Sequence, residues 1–396
     1  MPVVNLPLQI YVYALLVLPC IFSSALILPE YFSPFRVPLY LISIAAVVPL
    51  LYKTPTQTAK AVMLMITLLL FAALLSGLRV EERQFLVNLR QWAVYSNLFI
   101  CGIAGAVVAV AMHWQRRFAE HLLGLFSLLF LYGIYTYYAQ KFSWPEPLYL
   151  LRPSPALIEG KIYVQSFFGW ASPMRAYSVW YEPSYSAIVL ACALPLLYFS
   201  AARKIKVIFV LSAIAYIYLT FSRSAWLVGG LFIIGHFSGL FRLRLTRPGL
   251  IALSLILGAV FVLFQVIAVG IHGEYSALGR ILSVVNGMLE WLDSPLLGTG
   301  HPELISPLKA FHGMAHIQAS IPTMLHWYGL LGLLIVLIPY WYISRSDSGG
   351  RSAAVNSFVY LSVIATTVGG ALMMMSIFWF FWGFYMTYPA EPDKKP

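Results

Sequence analysis

Long apolar runs, separated by short polar breaks, dominate this chain. A helix that crosses the hydrocarbon core of a bilayer needs about 20 apolar residues, within a range of about 17–25. Twelve runs approach that length, at about 8–28, 37–52, 58–77, 91–112, 118–139, 184–201, 206–221, 224–240, 249–270, 322–343, 353–371 and 373–389. The second, seventh and last are short or poorly bounded, and only Gly369-Gly370 and a methionine run divide the last two. The pattern predicts an all-α polytopic membrane protein of about twelve transmembrane helices, forming one integral membrane domain over residues 1–396. Two connections are long, at about 140–183 and 271–321. Loops of that length usually carry function, and these hold enough Trp, Phe, Tyr and Ile to pack. In the second, Ile281, Val285, Met288, Leu289 and Leu292 recur at helical spacing, and Pro295 and Gly298 end the period. This predicts an amphipathic helix that lies on the membrane face or roofs a cavity.

Composition agrees with the pattern. Hydrophobic residues make up 61% of the chain and charged residues 10%, whereas a soluble domain averages about 25% charged. A chain of this size has no core large enough for so much apolar side chain, so lipid must solvate the excess. Cys20, Cys101 and Cys192 all fall inside apolar runs and read as small buried hydrophobes. The first apolar run has no basic leader, so it is expected to remain as a span. Basic residues follow the even-numbered runs: Lys53 and Lys60, Arg116 and Arg117, Arg203, Lys204 and Lys206, then Arg242, Arg244 and Arg247, then Arg345 and Arg351, with Lys394 and Lys395 at the end. Such clustering predicts cytoplasmic termini, with a smaller set, Arg79, Arg83 and Arg90, on the opposite side.

Span parity places Arg175, Arg223 and Arg280 on that opposite, non-cytoplasmic side. Arg223 is the least expected, because Ser222-Arg223-Ser224 joins two apolar runs with almost no loop. A charge at the membrane boundary is costly and marks function by default, although an arginine can also snorkel to headgroups. Three guanidinium groups on one face suit a pyrophosphate, since each offers a planar fork to phosphate oxygens. Acids number only 14, with no Asp-x-Asp pair. A transferase that holds its donor through a divalent metal would want such carboxylates, so no metal and no cofactor are expected. Nor is a nucleic-acid partner.

Histidines gather in the second long loop and just beyond it: His272, His301, His312, His316 and His326. His312 and His316 are four apart and would share a helical face. No Glu lies between them, so zinc is a poor reading, and a catalytic base or a binder of an acceptor hydroxyl is a better one. His272 and His301 read as ordinary interfacial residues, and His326, inside the tenth run, as a core histidine with its hydrogen bonds satisfied. Glu182, in Trp180-Tyr181-Glu182-Pro183-Ser184, stands at the start of a span seven residues after Arg175. It either favours the helix N-terminus through the dipole, or aims Arg175, or binds a sugar hydroxyl.

These residues carry a resemblance. Thr220-Phe-Ser222-Arg223-Ser224 resembles the T-x-S-R-S/G span of the O-antigen polymerase and O-antigen ligase superfamily. Arg280, followed by a helix and Asp293-Ser-Pro295-Leu-Leu-Gly298-Thr-Gly300, is similar to that family's R…D-x-P-x-x-G-x-G loop. Ala315-His316 followed by Gly329-Leu-Leu-Gly332 resembles its A-H-N…G-L-L-G segment, with Ile317 in place of the Asn. Arg175-Ala-Tyr177…Glu182-Pro183-Ser184 is similar to a segment of exopolysaccharide and O-antigen polymerases. The motifs run in order over about 170–345.

The resemblance implies a fold like that of C-type glycosyltransferases, in a bacterial inner membrane, with 140–183 and 271–321 as periplasmic loops and the latter catalytic. It implies an inverting transfer of a glycan from undecaprenyl pyrophosphate to a sugar hydroxyl of another lipid-linked repeat unit. Arg223 and Arg280, with Arg175 and Tyr177 assisting, would hold the pyrophosphate and glycan. His316, or else His312, would orient or deprotonate the acceptor, and Glu182 would complete the catalytic set. A chain-length regulator is the protein partner implied. A ligase acting on lipid A core or protein, and a non-enzymatic flippase of lipid-linked oligosaccharides, are the alternative functions.

Overall fold

The computed structural model describes residues 11–18, 45–53, 55–77, 82–111, 115–145, 165–167, 170–172, 176, 178, 185–242, 249, 252, 256, 259, 263, 285, 287–299, 320–345, 353–368 and 375–387. Among the described residues the chain is helical almost throughout. Its main helices are α1 (Thr56–Gly77), α2 (Glu82–Ala111), α3 (Gln115–Phe142), α4 (Ser186–Ala193), α5 (Arg203–Thr220), α6 (Arg223–Phe237), α7 (Ser320–Arg345), α8 (Ala353–Val368) and α9 (Ser376–Met386). They fall on the third to eighth and tenth to twelfth apolar runs. The ninth run is helical at its described positions Gly249, Ala252, Ile256, Ala259 and Leu263. Three stretches, Thr56–Leu75, Arg117–Phe142 and Thr323–Tyr342, are long and apolar enough to cross a membrane. The shortest of these spans 20 residues, about 30 Å at 1.5 Å per residue.

Two departures from the sequence pattern have local causes. The sixth run is not one α-helix: α4 tightens into a 3₁₀ turn at Leu194–Tyr198, with Pro195 in its first turn. Proline has no N–H to continue the ladder there. The first long loop also contains a two-stranded antiparallel ribbon, β1 (Gln165–Phe167) with β2 (Trp170–Ser172), in register Ser166 to Ala171.

Contacts between helices fix their directions. Glu120 near the start of α3 accepts hydrogen bonds from the backbone N–H groups of Ala201 and Ala202, both 3.1 Å, at the start of α5. Further along, Phe130 stacks on Tyr216, and Gly133 lies against the same ring. α3 and α5 therefore run side by side in the same direction. Tyr95, in the first half of α2, meets Trp327 of α7, and Trp382 of α9 donates to Pro339 O of α7 at 3.0 Å. So α2, α6 and α7 begin at the end where α3 and α5 finish.

α9 forms the centre of the packing. Every residue from Ser376 to Met386 is buried, and the helix lies against α2. The two backbones touch through glycine: a Cβ on Gly105 would collide with the Phe380 carbonyl, and one on Gly383 with the Gly102 carbonyl. Small residues at such a crossing let helices approach closely where lipid supplies no hydrophobic drive. Gly105→Val should therefore lower the melting temperature of the detergent-solubilised protein sharply. Gly124→Ala on α3, where nothing lies within 4 Å, should be neutral or slightly stabilising, by about 0.5–1 kcal/mol. Equal melting temperatures for the two variants would show that the crossing is not tightly packed.

Candidate functional site

The chain turns sharply between α5 and α6. α5 ends at Thr220, Phe221 takes the left-handed conformation (φ 49°), and Ser222 caps α6. Thr220 Oγ1 donates to Ile217 O at 2.7 Å and accepts from Ser222 N at 3.2 Å. Ser222 Oγ accepts from Ala225 N at 3.4 Å and lies 3.0 Å from Ser224 Oγ. All three hydroxyls are buried, and their bonds close the turn without a loop. Arg223 is thereby held as the first residue of α6, half-buried. Unsatisfied backbone N–H groups and the helix dipole make a helix start favourable for an anion, and here a guanidinium stands on it.

A second strand of chain is tied to this turn. Ala176 N donates to Leu219 O at 2.9 Å, and Ser178 Oγ donates to Leu129 O of α3 at 2.6 Å. Arg175 and Tyr177, each next to one of these anchors in sequence, lie outside the described residues, as do Glu182, Arg280, His312 and His316.

The second polar feature lies at the same end of the bundle, where the loop predicted to be catalytic meets α7. Residues 287–293 are helical, and a turn follows at 294–297; the helix ends where Pro295 and Gly298 lead one to expect it. α7 is not continuous. Gly329 has φ 59° and ψ −147°, outside the helical region. In an unbroken helix Leu330 N would donate to His326 O. Here Leu330 N donates to Pro295 O at 3.0 Å, and His326 O accepts from Thr299 N at 2.7 Å. The loop has exchanged one helical hydrogen bond for two of its own. Pro295 O also accepts from Trp291 Nε1 at 2.9 Å.

The two glycines face each other across this exchange. A Cβ on Gly298 (φ 68°) would lie 2.6 Å from Gly329 N and from His326 O, and one on Gly329 would lie 2.6 Å from Leu297 N. A side chain at either position would force the strands apart, and both positions carry the positive φ that glycine tolerates.

Inside this clasp His326 Nε2 donates to Glu290 Oε2 at 2.6 Å. The histidine side chain is 1% exposed and the carboxylate 25%. Thr299 Oγ1 donates to His326 O at 3.2 Å and lies 3.4 Å from Nε2. His326 is thus the buried histidine that its place in an apolar run predicts, bonded through Nε2. Its partner was not anticipated. Glu290 sits inside the amphipathic period, and three residues N-terminal to Asp293 it reads as a solvated acid; no local signal ties it to a histidine 36 positions on. The pair can share or pass a proton through Glu290, the more accessible member, and it fixes the loop helix on α7. Among the described residues no group of three or more His, Cys, Asp or Glu side chains gathers to hold a metal ion.

Gly329→Ala and Gly298→Ala should each destabilise the protein by at least about 1–3 kcal/mol from backbone strain alone, with steric conflict added. Gly230→Ala on α6, which has nothing within 4 Å, serves as the control. Melting curves in detergent check this, and unchanged values for both clasp glycines would contradict the geometry. Compared with protein-family models and with characterised proteins, the chain matches none.

Proposed function

We propose that this protein is a membrane glycosyltransferase that polymerises oligosaccharide repeat units carried on a lipid pyrophosphate. The observation that supports it best is the placement of Arg223. It is held half-buried on the first turn of α6 by a turn of buried hydroxyls, at the same end of the bundle as the Glu290–His326 pair. The motif resemblance over about 170–345 supplies the substrate class.

Charge distribution supports an orientation. Along the described helices Lys60, Arg116, Arg117, Arg203, Lys204, Arg242 and Arg345 lie at the end remote from Arg223, whereas Arg83, Arg90 and Lys141 lie at its own end. The excess favours the remote end as cytoplasmic. An aromatic cluster on the last turns of α3, with Tyr135, Tyr138, Phe142 and Trp144 in ring contact, suits the opposite interface. In this reading the protein has about twelve spans in a bacterial inner membrane, both termini cytoplasmic, and works at the periplasmic face.

The chemistry is an inverting displacement. An acceptor sugar hydroxyl attacks the anomeric carbon of the donor glycan, the bond from that carbon to the pyrophosphate oxygen breaks, and the electron pair leaves with undecaprenyl pyrophosphate. Arg223 and Arg280, with Arg175 and Tyr177, hold the leaving group. Preorganised cations at such a site count for most because they need no reorganisation as charge develops. His316, or else His312, receives the acceptor proton, and Glu182 aims Arg175 or binds a sugar hydroxyl. A chain-length regulator in the same membrane is the expected protein partner.

Arg223→Ala and Arg280→Ala should each abolish polymer in cells while the protein still inserts. Loss of one such contact costs roughly 2.7–4 kcal/mol of barrier, or about 10²- to 10³-fold in rate. Lysine at either position should rescue only in part, because it lacks the fork. Gel ladders of the surface polysaccharide are the readout, and normal ladders from Arg223→Ala would discard the role.

Purified enzyme given a lipid-linked repeat unit should elongate it in excess EDTA. His316→Ala should be nearly inactive yet bind donor, since losing general-base help costs about 10²- to 10⁴-fold; His312→Ala should be milder. Activity lost on chelation and restored by a divalent ion would overturn leaving-group stabilisation by arginine alone.

A further inference from the structure

The loop helix at 287–293 is amphipathic in an inverted sense. Its carboxylate, Glu290, faces the protein and meets buried His326. Its apolar stripe faces out: Val285, Leu289, Leu292 and Leu296 are each between 46% and 66% exposed. In a soluble loop such a stripe would turn inward, because burial is what stabilises an amphipathic helix. Here the clasp forbids it, since Pro295 O, Thr299 N and Glu290 all bind α7 from the other face.

The stripe does not stand alone. On α7, Leu330, Leu334, Leu337 and Trp341 recur at helical spacing and are between 40% and 51% exposed. They lie on the part of the chain long and apolar enough to cross a membrane. The two stripes meet at the clasp, where Leu330 N is bonded to Pro295 O and the Leu296 backbone packs against Gly329. The segments that carry the two stripes therefore join at Leu296 and Leu330.

We propose that helix 287–293 is an interfacial membrane helix, its outer face covered by the acyl chains of the leaflet at the Arg223 end. The inference rests on the membrane reading of α7. Continuity selects the occupant: whatever solvates the stripe on α7 meets the same surface at Leu296 and Leu292. Asp293 and Ser294 mark the polar border, with Asp293 exposed at the helix end. The indole of Trp291, partly exposed and with its N–H satisfied by Pro295 O, suits the headgroup level, where tryptophan concentrates. A helix with one strongly apolar face and a polar opposite face lies in the plane of that boundary. Its consequence is positional. The Glu290–His326 pair is held at the depth where the pyrophosphate of a polyprenyl lipid meets water, and the lipid tail has an apolar surface to follow.

The test is site-directed spin labelling of the full-length protein in lipid vesicles of phosphatidylethanolamine and phosphatidylglycerol, with Cys20→Ser, Cys101→Ala and Cys192→Ala as background. Nitroxides are attached through Leu289→Cys, Leu292→Cys and Leu296→Cys, with Leu334→Cys on α7 as the membrane reference and Asp293→Cys as the aqueous one. All five positions are exposed, so labels there do not disturb the core. The three loop-helix leucine labels, like the one at 334, should relax more with dissolved oxygen than with a water-soluble nickel chelate, and the 293 label should show the reverse. Nickel-dominated relaxation at 289 and 292, with oxygen dominating at 334, would overturn the proposal and leave the membrane reading of α7 intact. Nickel dominance at 334 as well would overturn both. Labels at 289 and 292 shielded from both reagents and broadened by spin–spin coupling would place a second copy on the stripe instead of lipid, and would likewise overturn it.

Discussion

One exchange of backbone hydrogen bonds holds the site end of this molecule together. Leu330 N and His326 O, partners in any unbroken helix, are both satisfied by the loop that precedes them. Within an apolar span an unsatisfied backbone group costs several kcal/mol, so a break is tolerated only where protein supplies new partners. The turn at 294–299 supplies them, and in doing so it is fixed in position and register on α7. Every other feature of the clasp follows from that exchange. Gly329 must leave the helix to free the groups, Gly298 must let the loop backbone come close, and Glu290 is brought onto His326 as a result.

The α5–α6 turn solves a related problem by other means. There the helix ends are satisfied locally by the Thr220 and Ser222 hydroxyls, so two helices meet with only left-handed Phe221 and the cap Ser222 between them. A charge that would otherwise sit on a mobile loop is carried instead by a rigid first turn. The two devices share a logic. Each uses backbone polar groups to anchor a side chain at one end of an apolar bundle, where flexible connections would lose precision. Ala176 and Ser178 extend it, because the segment beside Arg175 is pinned to the Leu219 carbonyl and to the middle of α3.

Deeper in the bundle the packing is mainly apolar. α9 is buried along its whole length, and its position is set by glycine contacts with α2 and by the Trp382 bond to Pro339. The indole N–H of Trp382 adds a hydrogen bond to the Pro339 carbonyl and ties α9 to α7. Glu120, at the remote end, caps the start of α5 over the Ala201 and Ala202 amides. These contacts align α3 with α5 and α7 with α2, and so bring the starts of α6 and α7 to one end.

Much of this was legible in the chain by itself. Apolar runs of the right length marked nine of the main helices, because a helix surrounded by apolar material must be apolar on nearly every side. Ser222-Arg223-Ser224 betrayed its tight turn because two apolar runs met with no residues left for a loop. Pro295 and Gly298 marked the end of the loop helix through their backbone preferences, and His326 read correctly as a buried histidine. What only the tertiary structure decided lay in pairings across long separations. Glu290 finds His326 because a backbone exchange joins segments more than thirty residues apart, and no periodicity encodes it. The period at Val285, Leu289 and Leu292 announced an amphipathic helix but not which face would turn inward; spacing fixes which residues share a face, whereas the clasp with α7 chooses the one that meets protein.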